Sequence, residues 1–411
     1  MQRPVSERWL LFLVGAVQFV NVLDFMMVMP LGPDFATALG IPLSRLGLVS
    51  GSYAVAAALA GAAGSLFLDR FDRRSALAVA MLGLVAGTAA GGLATGLPTL
   101  MASRLLAGAF GGPATSLSIS IVADAVPEER RGRALGAVMG AFSVASVLGV
   151  PLGLELARLG GWRAPFLAVA GLGLLVTAGA VVRMPPLRAH LAALRAPRPG
   201  AVPFLEDPAA LLSLAGTATV MAASFAVVPN LAAFLQFNAG WPRERLGLLY
   251  MAGGALSFLA LRAVGRMVDR FGAPATSGAG TLLLCFLLLL AFVPPHPWLP
   301  AAAIFLLFVL STAFRNVSMN ALATRVPRPE ARARFQSTQS AVQHVASAGG
   351  AFAAAQLLFV EPDGRLGGMG RVAFLSMGLG LCLPAILWAV EARLRRRAPP
   401  PAPLAGGGPS A

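Results

Sequence analysis

The stretch FVNVLDFMMVMP, residues 19–30, sets one carboxylate, Asp24, among apolar side chains, and no other charge lies between Trp9 and Pro30. A charge of opposite sign, Arg104, stands in an equally apolar setting in SRLLAGAFGG, residues 103–112. Burial favours the protonated form of a carboxyl and a nearby guanidinium favours the ionised form, so moving such a pair apart exchanges a proton. A third polar set, Gln336, Gln339, Ser340, Gln343, His344 and Ser347, recurs at helical spacing along one face. A polar face among apolar neighbours must look into protein or water. There it can hydrogen-bond a solute or bind helix to helix. His344 can titrate, although a neutral hydrogen-bonding role is the simpler reading. Arg315, Asn316 and Asn320 continue the polar region on a neighbouring segment, and Gln18 and Asn21 extend it from Asp24.

The elements that must carry these groups are membrane spans. Of 411 residues 57% are hydrophobic and 12% charged, about half the charged fraction of a soluble domain. The apolar residues come in blocks of about 20, long enough to cross a ~30 Å hydrocarbon core as helices. Twelve spans are expected, at 9–31, 46–68, 76–95, 99–123, 135–157, 164–183, 208–231, 246–268, 276–295, 300–323, 335–359 and 372–392. About 22 of the 32 basic residues, all Arg, fall in alternate connections that share a side with both termini, which predicts both termini in the cytoplasm. The same distribution explains the net charge of +15 without nucleic acid, whose binders cluster Arg with aromatics on soluble elements. The first segment lacks a cleavage site and reads as a retained helix. At 1.5 Å per residue Asp24 and Arg104 both lie roughly 7–10 Å below the non-cytoplasmic end of their spans, so they are expected to meet. Cys285 and Cys382 sit inside apolar blocks as small hydrophobes, and His190, His296 and His344 are too scattered for a metal site or a nucleophile–base set.

The chain repeats itself at an offset of 200. GIPLSRLGL at 40–48 returns as GWPRERLGL at 240–248, DRFD at 69–72 as DRFG at 269–272, and VP at 126–127 as VP at 326–327. Two six-helix bundles, 1–183 and 208–392, are therefore expected, related by a pseudo-two-fold axis along the membrane normal with a site between them. Residues 184–207 join them. Leu187, Leu191 and Leu194 beside Arg188 and Arg195 suggest a short amphipathic helix there, lying on the membrane surface. The Pro/Gly/Ala-rich tail 393–411 reads as disordered.

The connection SLFLDRFDRRS, residues 65–75, resembles the loop between the second and third helices of the major facilitator superfamily, whose pattern is G-x-x-x-D-R/K-x-G-R-R/K. Asp69, Arg70, Arg73 and Arg74 match, while Ser65 and Asp72 occupy the glycine positions. In the second half Gly265, Asp269, Arg270 and Gly272 fit and the final basic pair is missing. The resemblance implies a cytoplasmic gate. Its carboxylate would accept bonds from another helix's free N–H groups, and its arginines would pair with Asp124, Glu128 or Glu129. Arg104 and Gly108 match the family's R-x-x-x-G in the fourth helix. Gly149, Pro151 and Gly153 are similar to the motif of its antiporters in the fifth, G-P-x-x-G, with Val150 inserted. Glycines four apart let helices approach and Pro bends them. Gly83, Gly87 and Gly91 share the spacing in the third span, where plain packing accounts for it.

The resemblance covers nearly the whole chain. It implies an all-α polytopic fold of twelve transmembrane helices in two pseudo-symmetric six-helix bundles, not an enzyme, and a monomer in the bacterial cytoplasmic membrane. The expected activity is proton-coupled efflux of small apolar or cationic compounds by alternating access. The proton gradient is the energy source and no cofactor is required. Asp24 and Arg104 would couple to protons, and Gln18, Asn21, Arg315, Asn316, Gln339, Gln343 and His344 would line a substrate cavity. Its partners would be a small-molecule substrate, protons and the lipid bilayer, with no nucleic acid. Export of a sugar, nucleoside or other metabolite is the alternative, and the Gln-rich eleventh span favours it.

Overall fold

The computed structural model describes residues 7–188, 191, 206–293, 298–327 and 332–397. Six long helices form the first half: α1 (Glu7–Met27), α2 (Leu46–Phe67), α3 (Arg73–Gly92), α4 (Leu97–Ala125), α5 and α6 (Arg163–Arg183). The fifth is assembled from Glu128–Met139, Ala141–Val144, a π turn at Ala145–Gly149 and Val150–Gly160. The second half holds α7 (Pro208–Ala233), α8 (Leu246–Phe271), α9 (Ala273–Phe292), α10 (Ala301–Ala323), α11 (Arg332–Leu357) and α12 (Met369–Arg397). Eleven of these segments are long and apolar enough to cross a membrane among the described residues. The twelfth, α11, is 26 residues long and falls short in apolarity because of its polar face. The fold is thus the expected all-α, twelve-helix one. Helix α12 runs to Arg397, past the expected end at 392, so the segment 393–411 begins as helix and its remainder lies outside the described residues. In the linker, Leu187 and Arg188 are irregular and Leu191 is helical, while Leu194 and Arg195 lie outside the described residues.

Helix ends follow local chemistry. Asp72 caps α3, its carboxylate accepting from the Arg74 N–H at 2.9 Å, and Asp207 caps α7 by accepting from Ala209 N–H at 2.9 Å. The duplication is visible in the turns. Gly40 and Gly240 both adopt left-handed φ, 63° and 65°, where a side chain would be strained. Each precedes a one-turn 3₁₀ helix, Leu43–Arg45 and Arg243–Arg245, that leads into α2 and α8. Phe25 and Phe225, also 200 apart, stack on each other from α1 and α7 with ring centroids 5.8 Å apart.

Twelve successive crossings put the two ends of the described helices, Glu7 and Arg397, on the same side. The halves meet toward the opposite face. Gly47 packs against the Ala351 backbone and Gly51 against the Phe352 ring, bringing α2 onto α11. A Cβ added at Gly254 of α8 would lie 2.8 Å from the Ser146 carbonyl in the π turn of α5. Above these contacts Arg243 holds Asp34, in the short helix Gly32–Leu39, through Nε and Nη2 at 2.6 Å each. The described contacts between the halves thus include an ion pair and close helix packing toward the face away from the termini.

Candidate functional site

Asp24 and Arg104 meet directly. The Arg104 Nη1 group donates to both Asp24 carboxylate oxygens, at 3.0 and 3.1 Å, and both residues are 0% exposed. The expected contact of similar depth is therefore a buried ion pair between α1 and α4. Glycines of α3 make room for it. A Cβ at Gly91 would lie 3.0 Å from Arg104 Nη2, and one at Gly87 would lie 2.5 Å from the Ala107 backbone nitrogen. Arg104 Nη2 instead donates to the Gly87 carbonyl at 3.3 Å, and its guanidinium lies 5.2 Å over the Phe166 ring of α6. The Gly83, Gly87, Gly91 spacing, read from sequence as packing alone, therefore also shapes the seat of the charge.

Thr88 completes the cluster. Its Oγ1 lies 2.7 Å from Asp24 Oδ1 and 2.8 Å from the Leu84 carbonyl oxygen. A hydroxyl has one proton and both neighbours are acceptors when Asp24 is ionised. In that state Thr88 serves only one of them. With Asp24 protonated, its O–H donates to Thr88, Thr88 donates to Leu84, and Arg104 keeps the other carboxylate oxygen. The same heavy-atom positions thus accommodate both protonation states, with the hydroxyl rotating between them.

One turn along α1, Asn21 Nδ2 donates to the Gly111 carbonyl at 2.9 Å and Thr115 Oγ1 at 2.7 Å, and Tyr53 O–H donates to Asn21 Oδ1 at 2.7 Å. Tyr53 also packs its ring on Phe25 at 5.1 Å. Gln18 is buried and its Oε1 has no partner among the described residues. Asn21 is thus a fully bonded cross-link of α1, α2 and α4. The expected polar track from Asp24 is real, but it is structural at this point. Sequence reasoning missed Thr88, Tyr53 and Thr115, since none of them stands out from ordinary helix residues.

The remaining cavity candidates separate into two groups. On α11, Gln343 and His344 are half-buried, and Gln339 is buried and donates to Thr217 Oγ1 of α7 at 3.3 Å, a helix-to-helix bond. Asn316 is half-buried on α10. Arg315 does not join them. It is 0% exposed and faces α9 and α12: a Cβ at Gly280 would lie 3.4 Å from its Cγ, and one at Gly380 would lie 3.7 Å from its Nη2. The earlier expectation that Arg315 lines a cavity between the halves is corrected by this rotation of α10.

The glycine motif of α5 faces α1. A Cβ at Gly149 would lie 2.8 Å from the Leu23 side chain, next to Asp24, and one at Gly153 would be 3.9 Å from Met27. Pro151 opens the helix that follows the π turn Ala145–Gly149. A π turn holds one extra residue within a helix, which accommodates Val150 between Gly149 and Pro151. Ser146 in the turn lies 3.6 Å from the Met26 sulfur.

In the connection after α2, Asp69 lies in a 3₁₀ turn, Leu68–Arg70, at the end of the helix containing Ser65; their side chains, like those of Glu128 and Glu129, lie outside the described residues. Arg70 is exposed. Arg73 pairs with Asp124 at 3.1 Å, one of the acids expected for it. Arg74 donates to the Met184 carbonyl at 3.1 Å and Arg188 pairs with Asp72 at 2.9 Å. Asp72, standing where the pattern has glycine, ties the linker to α3. Burial pushes its carboxyl up, but the bonds from Arg188 and the Leu187, Arg74 and Ser75 N–H groups outweigh this and hold it below the usual range. In the second half Asp269 and Arg270 are exposed, Gly265 has open space beside it, and Gly272, at φ 86°, starts α9.

The sequence matches the family model of the Major Facilitator Superfamily over residues 14–354. It is 31% identical over 363 residues to the chloramphenicol resistance protein of Streptomyces lividans, covering 85% of this chain and 88% of that one. Among solved structures, a bacterial homologue of the human lysosomal transporter Spinster, inward-facing and unoccupied, superposes with a TM-score of 0.76 at 16% identity, covering 98% of this chain and 100% of the other. A D-xylose–proton symporter gives 0.71 at 16% identity over 93% and 97%. The chain belongs to the major facilitator superfamily: it is a multi-pass membrane transporter of the family's twelve-helix fold, and the members of this family are not enzymes.

Proposed function

We propose that this transporter exports small, largely apolar or cationic compounds from the bacterial cytoplasm in exchange for protons. The observation that carries the reading is the buried Asp24–Arg104 pair with Thr88 as its adjustable partner. Charges inside a membrane span are costly and most often functional. This pair is neutral as it stands, and separating it or protonating Asp24 changes which helix contacts are favourable. The resistance named for the Streptomyces relative supports a drug as the substrate. Both termini are assigned to the cytoplasm, so the face bridged by Asp34 and Arg243 is the external one and the substrate enters from inside. The motif on the loop after α2, with its counterpart after α8, is assigned to the cytoplasmic gate that closes when the halves rock. The motif on α5, packed on α1 beside Asp24, transmits that rocking. The proton gradient is the energy source, no cofactor is needed, and a monomer suffices.

Transport by inside-out vesicles with an imposed pH gradient tests the reading. Wild-type protein should move a panel drug only with the gradient present, and Asp24→Asn should abolish gradient-driven transport. Full gradient-driven transport by Asp24→Asn would remove Asp24 as the coupling group. A second reading, export of a sugar, nucleoside or other metabolite, is favoured by the half-buried Gln343 and His344. Sugar exchange that persists without the gradient would establish it.

A further inference from the structure

Among the described residues Arg315 is the fully buried charge of the second half, and the transport mechanism does not use it. It is fully buried, and Nε, Nη1 and Nη2 find no acceptor among the described residues. Arg104 in the first half has the same problem solved by Asp24 of α1. At the repeat offset of 200 the position of Asp24 is taken on α7 by Ser224, which carries no charge. Helices α9 and α10 contain no acid, and the acid of α12, Glu391, is eleven residues past Gly380, about 16 Å along the helix. Glu391 is already held by Arg395 at 2.8 Å.

Around Arg315 the second half offers further donors. Ser277 and Thr281 lie on α9 one turn apart, on the face that carries Gly280, which packs on the arginine. Ser318 lies one turn along α10. All three are at most 1% exposed and their hydroxyls have no partner among the described residues. Five guanidinium N–H groups on α10 and free hydroxyls within a turn of Arg315 on α10 and of Gly280 on α9 therefore lie in the buried interior of the second half, where the other titratable group acting on Arg315 is the thiol of Cys285 and not a carboxylate. An uncompensated guanidinium inside a membrane protein is strongly unfavourable.

We propose that this junction of α9, α10 and α12 is a binding site for a small monovalent anion such as chloride, held by the Arg315 guanidinium with the Ser277, Thr281 and Ser318 hydroxyls beside it. A single negative charge neutralises the arginine, whereas a divalent anion would leave a buried excess. The tight glycine contacts and zero exposure favour an ion of halide size over an organic solute. The site lies on the side of α10 away from the contact between the halves, so it stabilises the second bundle independently of the substrate route.

The test uses full-length purified protein in an uncharged detergent, with sodium gluconate replaced stepwise by sodium chloride or bromide at constant ionic strength. Wild-type Tm should rise saturably, by roughly 3–6 °C at full replacement, and Arg315→Met should show no such rise. Equal melting in gluconate and chloride, or a rise that persists in Arg315→Met, overturns the site. Should Arg315→Met fail to fold, wild-type crystals grown in bromide decide the matter. Anomalous scattering beside the Arg315 guanidinium supports the proposal, and its absence there overturns it.

Discussion

Thr88 has one proton and two acceptors within reach. Replacing it with Val keeps the shape and removes the hydroxyl, which leaves Asp24 Oδ1 with one bond fewer. Loss of a buried bond to a charged group costs about 1.5–3 kcal/mol, so Thr88→Val should lower stability by that order in denaturant titration. It should also move the pH profile of transport, while Thr88→Ser preserves both. An unchanged pH profile in a folded Thr88→Val protein would take Thr88 out of the coupling site. At this scale the sequence was a good guide to Asp24 and Arg104, because a charge in an apolar run has so few places to go. It was silent on Thr88, since threonines commonly bond the carbonyl four residues back and this one does that too. It misassigned Arg315 because the face a residue takes on a span depends on how the whole helix is rotated, which spacing alone does not set.

At the scale of single elements, Asp72 joins the start of α3 to the linker. Its folded-state proton affinity is lowered, so its stabilising contribution is complete above the ordinary carboxylate range and is lost as pH falls through its own lower value. Protection of the Met184, Leu187 and Arg188 amides, taken as exchange relative to the intrinsic rate at each pH, should therefore fall on acidification in the wild type. In Asp72→Asn, which keeps the helix cap and loses the charge, protection should already be low at neutral pH and change little with acid. Equal, pH-independent protection in both proteins would show that Arg188 does not depend on Asp72. The twelve spans were legible because long apolar blocks are unambiguous, and in polar α11 the polar residues keep to one helical face and leave the rest apolar. The π turn of α5 was not, although the residue inserted between Gly149 and Pro151 was its trace: an extra residue in a helix must be absorbed somewhere.

For the whole molecule, the proposed alternation between closed and open forms would act on Asp34 and Arg243, a bidentate pair about one-fifth exposed that joins the two halves. If it favours the closed form by about 1–2 kcal/mol, removing it changes the population ratio by a factor of about 5–30. Spin labels at the exposed positions Thr37 and Glu244 should then show more of the long-distance population in Arg243→Gln. The exchanged pair Asp34→Arg with Arg243→Asp should restore the short distance, and the effect should shrink at high salt because the pair is partly open to solvent. Identical distance distributions in wild type and Arg243→Gln would leave closure to the α2–α11 and α5–α8 contacts. The repeat in the sequence foretold two related bundles. It did not reveal this clasp, whose two members come from unmatched positions: residue 234, the repeat partner of Asp34, is Phe.

The polarity of α11 also bears on how the chain is made. A helix is released from the insertion machinery into lipid according to its own apolarity, and α11 is the long helix that falls short. It finds its partners in α7, where Gly350 meets the Ala222 backbone and Gln339 meets Thr217, and in α2 of the other half. Helix α7 is synthesised well over a hundred residues earlier. The expected order is therefore that α7 stays near the exit site until α11 arrives, so that the two enter the bilayer together. Birth order, and not only final packing, is written into the glutamines of this helix.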